Sequence, residues 1–143
     1  MSLFSTLRIS SSGLTANRLW LDTIASNIAN ANTTRTPEGG PYRRQDIIMA
    51  PQGRSGFSEI LGSAGNVSAG QGVEVVGIVK DSTAPRMVYN PNHPDADANG
   101  YVAMPNVDIV TEMVNMVAAQ RAYEANVTVM GAAKSMAMKS LEI

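Results

Sequence analysis

The sequence contains few side chains of the types that catalyse reactions or bind metals. It has no cysteine and a single histidine, His93, which excludes thiol nucleophiles, cysteine-ligated metal sites and histidine clusters. A Ser-His-Asp triad would need His93, which lies in a turn-forming stretch rich in Asn and Pro, and the chain has no nucleophile-elbow motif. Glycine-rich nucleotide-binding motifs are also absent. We therefore predict no catalytic residue and no cofactor.

One loop has the residue spacing of a calcium site. Asp95, Asp97, Asn99 and Gly100 occupy positions one, three, five and six of a calcium-binding loop. Position twelve, where a glutamate would bind the ion through both oxygens, is Asn106. A turn built from Asp, Asn and Gly explains the same residues. We predict no metal site, and a calcium-dependent or catalytic small domain that uses this loop stays open as the alternative.

Charge and hydropathy limit the classes of partner. The 143 residues include 11 basic and 12 acidic side chains, which suits one domain and leaves no charge excess for nucleic acid or a membrane surface. No apolar run approaches the ~18 residues of a membrane span, and the first residues lack the pattern of a signal peptide. We predict no nucleic-acid partner, no direct membrane insertion and no cleaved signal peptide.

Glycine and proline divide the chain into three segments. All seven prolines and ten of the twelve glycines lie between Pro37 and Pro105, and these residues are typical of turns and short strands. The sequence predicts an α+β fold with long N- and C-terminal helices that pair as a coiled coil and with a small β-rich middle region. The predicted segments are an N-terminal coiled-coil helix (1–32), the β-rich middle (33–104) and a C-terminal coiled-coil helix (105–143).

Within the middle region, residues of high strand propensity alternate with turn residues. Strands are predicted at Tyr42–Met49, Val73–Val79 and Arg86–Tyr89. The stretch near 53–72 is rich in glycine and serine, which predicts a flexible loop.

The two flanks carry apolar residues at intervals of seven, the spacing of a coiled-coil stripe. The second flank has an N-cap candidate in Asn106 or Asp108, and no helix breaker follows before about Leu141. Its apolar face is wider than one partner helix would cover, so we expect helices from other subunits to pack against it. The predicted assembly seam consists of Leu7, Leu14, Leu21, Ile24, Ile28, Ile109, Met113, Met116, Tyr123, Val127, Met130 and Leu141.

Three stretches resemble the family of flagellar basal-body rod proteins. Ala25–Thr33 is similar to the N-terminal signature of the family, and Met104–Asp108 with Ala119–Asn126 resembles its C-terminal helix. The stretch Val88–Val102 is similar to one particular member. The motif residues on which the resemblance rests are Asn27, Asn30, Asn106, Asp108, Gln120, Arg121, Asn126, Tyr89, Asn90 and Pro91.

The resemblance implies a structural subunit of the bacterial flagellar basal body. Such a subunit would assemble into the axial drive shaft of the proximal rod, transmit torque from the membrane ring to the distal rod and hook, and be required for motility. The implied partners are further copies of itself, other flagellar rod subunits, the adaptor between membrane ring and rod, and the flagellar type III export machinery. The implied location is the basal body, outside the cytoplasmic membrane.

Two alternatives and one hypothesis accompany this interpretation. Without the resemblance, the heptad rows would fit a self-contained helical hairpin with a β insert. Within the family, the chain could be a different rod subunit, and the segment from Tyr89 to Tyr101 is the discriminating feature. We also hypothesise that Asn27 and Asn30 join the first helix to the middle region rather than only ending the helix.

Overall fold

The computed structural model describes residues 3–52 and 72–142. Its elements in chain order are α1 (Leu3–Ala29), β1 (Gln45–Pro51), β2 (Val73–Lys80), β3 (Arg86–Tyr89), β4 (Tyr101–Met104) and α2 (Ile109–Leu141). The two long helices pack together and the strands lie between them in sequence, which confirms the predicted α+β fold. The flexible loop predicted near 53–72 lies, apart from Gly72, outside the described residues.

Both helices have side-chain caps at the ends that face the middle region. At the end of α1, Asn30 donates from Nδ2 to the Ser26 carbonyl at 2.9 Å, and its Oδ1 accepts from the Thr33 hydroxyl at 3.2 Å. At the start of α2, Asp108 is the N-cap, and its carboxylate accepts from the Val110 amide. Such bonds satisfy backbone groups that a helix end leaves free. Of the two predicted N-cap candidates, Asp108 has this role.

α1 and α2 run antiparallel. Asn27 near the end of α1 contacts Glu112 in the first turn of α2, and Gly13 lies against Asn126. The steps from Asn27 to Gly13 and from Glu112 to Asn126 cover the same number of residues, so the two helices keep one register over this length.

The fully buried positions of the two helices are mostly small or polar. They are Ser10, Ala16, Thr23, Ile24, Asn27, Glu112, Ala119 and Ala133. A β-carbon added to Gly13 would lie 3.1 Å from the Asn126 amide, which shows how closely the helices approach. Large side chains do not fit such a contact.

Of the predicted seam residues, Ile24 is therefore the one that is fully buried in the single chain. The other members on α1 are half-buried, and so are Met116 and Met130 on α2. Ile109, Met113, Val127 and Leu141 are exposed. The large apolar residues of the predicted seam therefore lie mainly at the edges of the contact between α1 and α2.

The four strands form two antiparallel hairpins. In the first, β1 pairs with β2 from Gln45 opposite Lys80 to Pro51 opposite Val73, with a bulge between Ile48 and Met49. It packs on α1 through both strands. In the second, β3 pairs with β4, and the rings of Tyr89 and Tyr101 meet edge to face at 5.4 Å.

The strand predictions were wrong in two places. β1 begins at Gln45 rather than Tyr42, because Tyr42 and Arg44 contribute side chains to a junction with the helices. β4 had no predicted counterpart, since its four residues follow a turn and acquire strand geometry by pairing with β3. None of the described helices is long and apolar enough to cross a membrane.

Candidate assembly site

Asn27 is the centre of a buried polar junction between the helices and β1. Its side chain is 0% exposed. Nδ2 donates to the Gln45 carbonyl at 2.8 Å and to Glu112 Oε2 at 3.0 Å. Oδ1 accepts from the Gln45 amide at 2.9 Å and from the Tyr42 hydroxyl at 3.0 Å. An asparagine amide has two donor hydrogens and two acceptor lone pairs, so this side chain is fully satisfied.

Glu112 connects the same junction to α2. It is 1% exposed, and its second oxygen, Oε1, accepts from Arg44 Nε at 2.8 Å. Arg44 also donates from a terminal nitrogen to Asp46 at 3.1 Å. Burying a carboxylate is costly unless it is both paired and hydrogen-bonded, and Glu112 meets both conditions. One side chain of α2 thus holds α1 through Asn27 and the start of β1 through Arg44.

The electrostatics keep Arg44 charged. Partial burial acts to lower the pKa of its guanidinium, but the hydrogen bonds to Glu112 and Asp46 act in the opposite direction and the net result is a raised pKa. The ion pair with Glu112 therefore has its full positive partner at every physiological pH.

A second polar contact holds the other end of the β1–β2 hairpin. Ser12 Oγ accepts from the Val73 amide at 3.0 Å and donates to the Ile9 carbonyl at 2.7 Å. The preceding Gly72 has φ +106, and a β-carbon there would lie 2.5 Å from Ser12 Oγ. Glycine is required at this position by both backbone conformation and space.

The outer face of α2 is apolar and open. Among the described elements α2 packs only against α1. In its first three turns, Val110 is 70% exposed, Val114 is 64% exposed, and Met113 and Val117 are also exposed. Charged residues are absent from Ile109 to Gln120 apart from the buried Glu112. A contiguous apolar face of this kind is typical of a protein interface.

Comparison with known proteins matches both ends of the chain to rod families. Residues 7–35 match the family described as flagella basal body rod protein, and residues 98–143 match the C-terminal family of flagellar basal body rod FlgEFG proteins. The flagellar basal-body rod proteins FlgC of Borreliella burgdorferi and Bacillus subtilis are each 48% identical over 149 residues, covering 100% of this chain and 98% and 99% of the relatives. FlgC of Salmonella typhimurium is 38% identical over 143 residues, covering 100% of this chain and 98% of the relative.

The chain belongs to the FlgC family of flagellar basal-body rod proteins. This confirms the resemblance and decides between FlgC and the other rod subunits. The matched ranges include Asn27 on α1 and Glu112 on α2, the two helix residues of the junction.

The motif residues of the FlgC resemblance lie in three different places. Asn27 is in the junction, Asn30 ends α1 and Asp108 starts α2. Asn126 packs against Gly13 and donates to the Ala122 carbonyl at 2.9 Å. Exposed positions are occupied by Asn106, Gln120, Arg121, Tyr89, Asn90 and Pro91. The exposed group is not brought to the junction.

In this FlgC-family chain the carboxylates of the acidic loop accept hydrogen bonds from the loop's own backbone and from Thr34. Asp97 Oδ1 accepts from the amides of Asn99 and Tyr101, and Asp95 Oδ2 accepts from the Thr34 hydroxyl at 2.8 Å. Gly100 has φ +79 and lies against the Tyr89 ring. These oxygens serve a turn, and across residues 3–52 and 72–142 no group of three or more His, Asp or Glu side chains is placed to hold a metal.

Sequence analysis missed the roles of Ser12, Tyr42, Arg44 and Glu112. The sequence places Tyr42 only at the start of a predicted strand. The sequence does contain one signal for Glu112, which is the one charged residue from Ile109 to Gln120. Glutamate is almost never fully buried unless it is paired, so a glutamate on a largely apolar helix indicates a paired carboxylate.

Proposed function

We propose that this protein is a structural subunit of the flagellar rod and not an enzyme. The observation that carries the proposal is the similarity to FlgC proteins over the full length of the chain, at 48% identity to two of them. In this role it assembles into the axial shaft of the proximal rod, transmits torque from the membrane ring to the distal rod and hook, and is required for motility.

The open face of α2 is the surface on which assembly depends. Val110, Met113, Val114 and Val117 are exposed in the single chain, and burying a side chain of this size stabilises by about 1.5–3 kcal/mol. Helices of neighbouring rod subunits are suitable occupants, since they can supply a second apolar stripe and the face has no charge to repel them.

The predicted seam residues on α2 extend this surface. Met113 belongs to the open face and Ile109 lies beside it, while Val127 and Leu141 continue exposed apolar positions towards the end of the helix. Packing them against several neighbours distributes torque over many contacts, none of which must be strong alone.

The proposed partners follow from the same role. They are further copies of this chain, other rod subunits, the adaptor between membrane ring and rod, and the flagellar type III export machinery. The small core of the described residues supports export as a loosely folded chain, because four of its six hydrophobic members are alanines, each of which buries little area. The assembled protein is located in the basal body, outside the cytoplasmic membrane.

A charge on the open face tests the proposal. Val114→Asp places a carboxylate in the centre of the apolar face, and the helix itself is little disturbed because valine and aspartate have similar helix propensities. The matched control is Ser135→Asp, at an exposed polar position of the same helix. We expect Val114→Asp to abolish motility and rod assembly while the purified monomer keeps its far-UV circular dichroism, and Ser135→Asp to swim. Normal rods from the Val114→Asp variant would refute the proposed use of this face.

A further inference from the structure

The β1–β2 hairpin is attached to α1 at both ends of its ladder. At one end, the Asn27 amide bonds with both the N–H and the C=O of Gln45. At the other end, Ser12 Oγ accepts the amide of Val73. Because Gln45 and Val73 lie at opposite ends of the paired strands, the two attachments fix the position and the direction of the hairpin.

The spacing of the attachments matches the length of the strand. Ser12 and Asn27 are separated along α1 by about 22 Å at ~1.5 Å per residue. Gln45 to Pro51 spans about 20 Å at ~3.3 Å per residue. The paired strand and the stretch of α1 between the two attachments therefore have about the same length.

The attachments differ in their dependence on α2. Glu112 Oε2 accepts from Asn27, and Oε1 accepts from Arg44, the residue next to Gln45. The hydrogen bonds of Ser12 involve only α1 and β2. One end of the hairpin is thus held through α2 and the other end is not.

We infer that Glu112 is a positioning residue that makes the Asn27 attachment conditional on the docking of α2. With α2 in place, its carboxylate orients the Asn27 amide towards Gln45 and neutralises Arg44. With α2 displaced, Asn27 loses one acceptor and the guanidinium of Arg44 loses its buried partner, while the Ser12 attachment stays intact. The hairpin then pivots at Ser12, so its direction depends on whether α2 is docked. The inference concerns the single chain and does not depend on the proposed role in the rod.

Amide hydrogen exchange at the two attached residues tests this coupling. The full-length monomer is labelled with nitrogen-15, and exchange at Gln45 and Val73 is followed by NMR for the native chain and for Glu112→Ala, Glu112→Gln and Ser12→Ala. We expect both Glu112 variants to accelerate exchange at Gln45 about tenfold, the scale of one lost buried hydrogen-bond partner, and to leave Val73 within about threefold. Ser12→Ala should accelerate Val73 and not Gln45.

Glu124→Ala is the matched control, because it removes an exposed carboxylate from the same helix and should change neither amide. Glu112→Gln keeps the shape of the side chain, so it decides the matter if Glu112→Ala destabilises the whole protein. Unchanged exchange at Gln45 in Glu112→Gln, or equal acceleration at Gln45 and Val73, would overturn the inference.

Discussion

Asn27 shows how much structure one buried amide can specify. Its four hydrogen bonds reach α2, β1 and the segment before β1. Replacing Asn27 with alanine would leave the Gln45 amide and one oxygen of Glu112 without partners in a buried site. Each such group costs about 1–3 kcal/mol, so we expect Asn27→Ala to lower the free energy of unfolding by about 3 kcal/mol in a urea titration.

Asn32→Ala is the control for this substitution, since Asn32 belongs to the same asparagine-rich stretch and is exposed. Its effect should stay within about 0.5 kcal/mol. Equal effects of the two substitutions would mean that the junction does not stabilise the fold. Wild-type motility and rod assembly in a variant with both Asn27 and Asn30 changed to alanine would show that the motif is dispensable for function.

The N-cap of α2 should show a defined pH dependence. Hydrogen bonds from the Thr111 hydroxyl and the Val110 amide hold the pKa of Asp108 below its ordinary value. A carboxyl whose pKa is lowered by folding stabilises the fold above its unfolded pKa of about 3.9, and this contribution is lost as the pH falls through the folded pKa.

The matched variant is Asp108→Asn, which keeps the cap and removes the charge. Thermal unfolding followed by circular dichroism should show the native chain as the more stable of the two at pH 6. The difference should shrink below about pH 4 as the native carboxyl becomes neutral. A difference that stays constant down to pH 2 would contradict a role for the ionised carboxylate.

At this scale the sequence predicts some of the side chains that hold the helix ends and misses others for a physical reason. Asn27 and Asp108 belong to local patterns, a helix end and a helix start, which can be recognised in a short stretch. Glu112 pairs with Arg44 across 68 residues and with Asn27 across 85. Nothing local to any of the three residues indicates such a contact, because it depends on how the helices and β1 are brought together.

At the scale of elements, the sequence predicts that the two helices pair, but it does not predict which side chains lie between them. Repeats of seven indicate that a helix has a packing face. They do not distinguish the side chains that face the partner within the chain from those that face other molecules, since both sets have the same period. The close approach at Gly13 decides in favour of small residues such as Ala119 and Ala133, and the large aliphatic residues take the flanking positions.

This explanation predicts opposite effects of leucine at two helical glycines. Gly13→Leu would push Asn126 away and separate the helices, with an expected cost of about 2 kcal/mol. A β-carbon at Gly131 meets nothing within 4 Å, so Gly131→Leu should stabilise by up to about 1 kcal/mol. The urea midpoints of the two variants should shift in opposite directions. A stabilising Gly13→Leu would mean that the helices do not pack closely at this point.

At the scale of the whole molecule, the single chain has much apolar surface and a small core. The fully buried apolar side chains of the described residues are Ala16, Ile24, Ala31, Val102, Ala119 and Ala133. The exposed ones on α2 alone include Val110, Met113, Val114 and Met136. A fold with this balance is marginally stable by itself and is stabilised when neighbours cover the exposed face.

Limited proteolysis can compare the free monomer with the subunit in the assembled rod. Among the described residues of the purified monomer, we expect trypsin to cut first at Lys134 and Lys139, exposed near the end of α2, because the end of a helix with few buried contacts opens most readily. Cleavage at Arg8 near the start of α1 should follow. Mass spectrometry of the products should show trimming that proceeds towards Thr33 from one end and Met104 from the other.

Assembled rods provide the second state, since packing against neighbours should protect the same lysines and Arg8. Calcium added to the monomer provides the control for the alternative based on the acidic loop. It should leave the cleavage pattern unchanged, because Asp95 already accepts from the Thr34 hydroxyl and Asp97 from the Asn99 amide. A monomer that resists trypsin at both ends would show that α1 and α2 form a finished hairpin without neighbours. Resistance that appears only with calcium would favour a calcium-dependent domain, because an ion that binds only the folded state stabilises it.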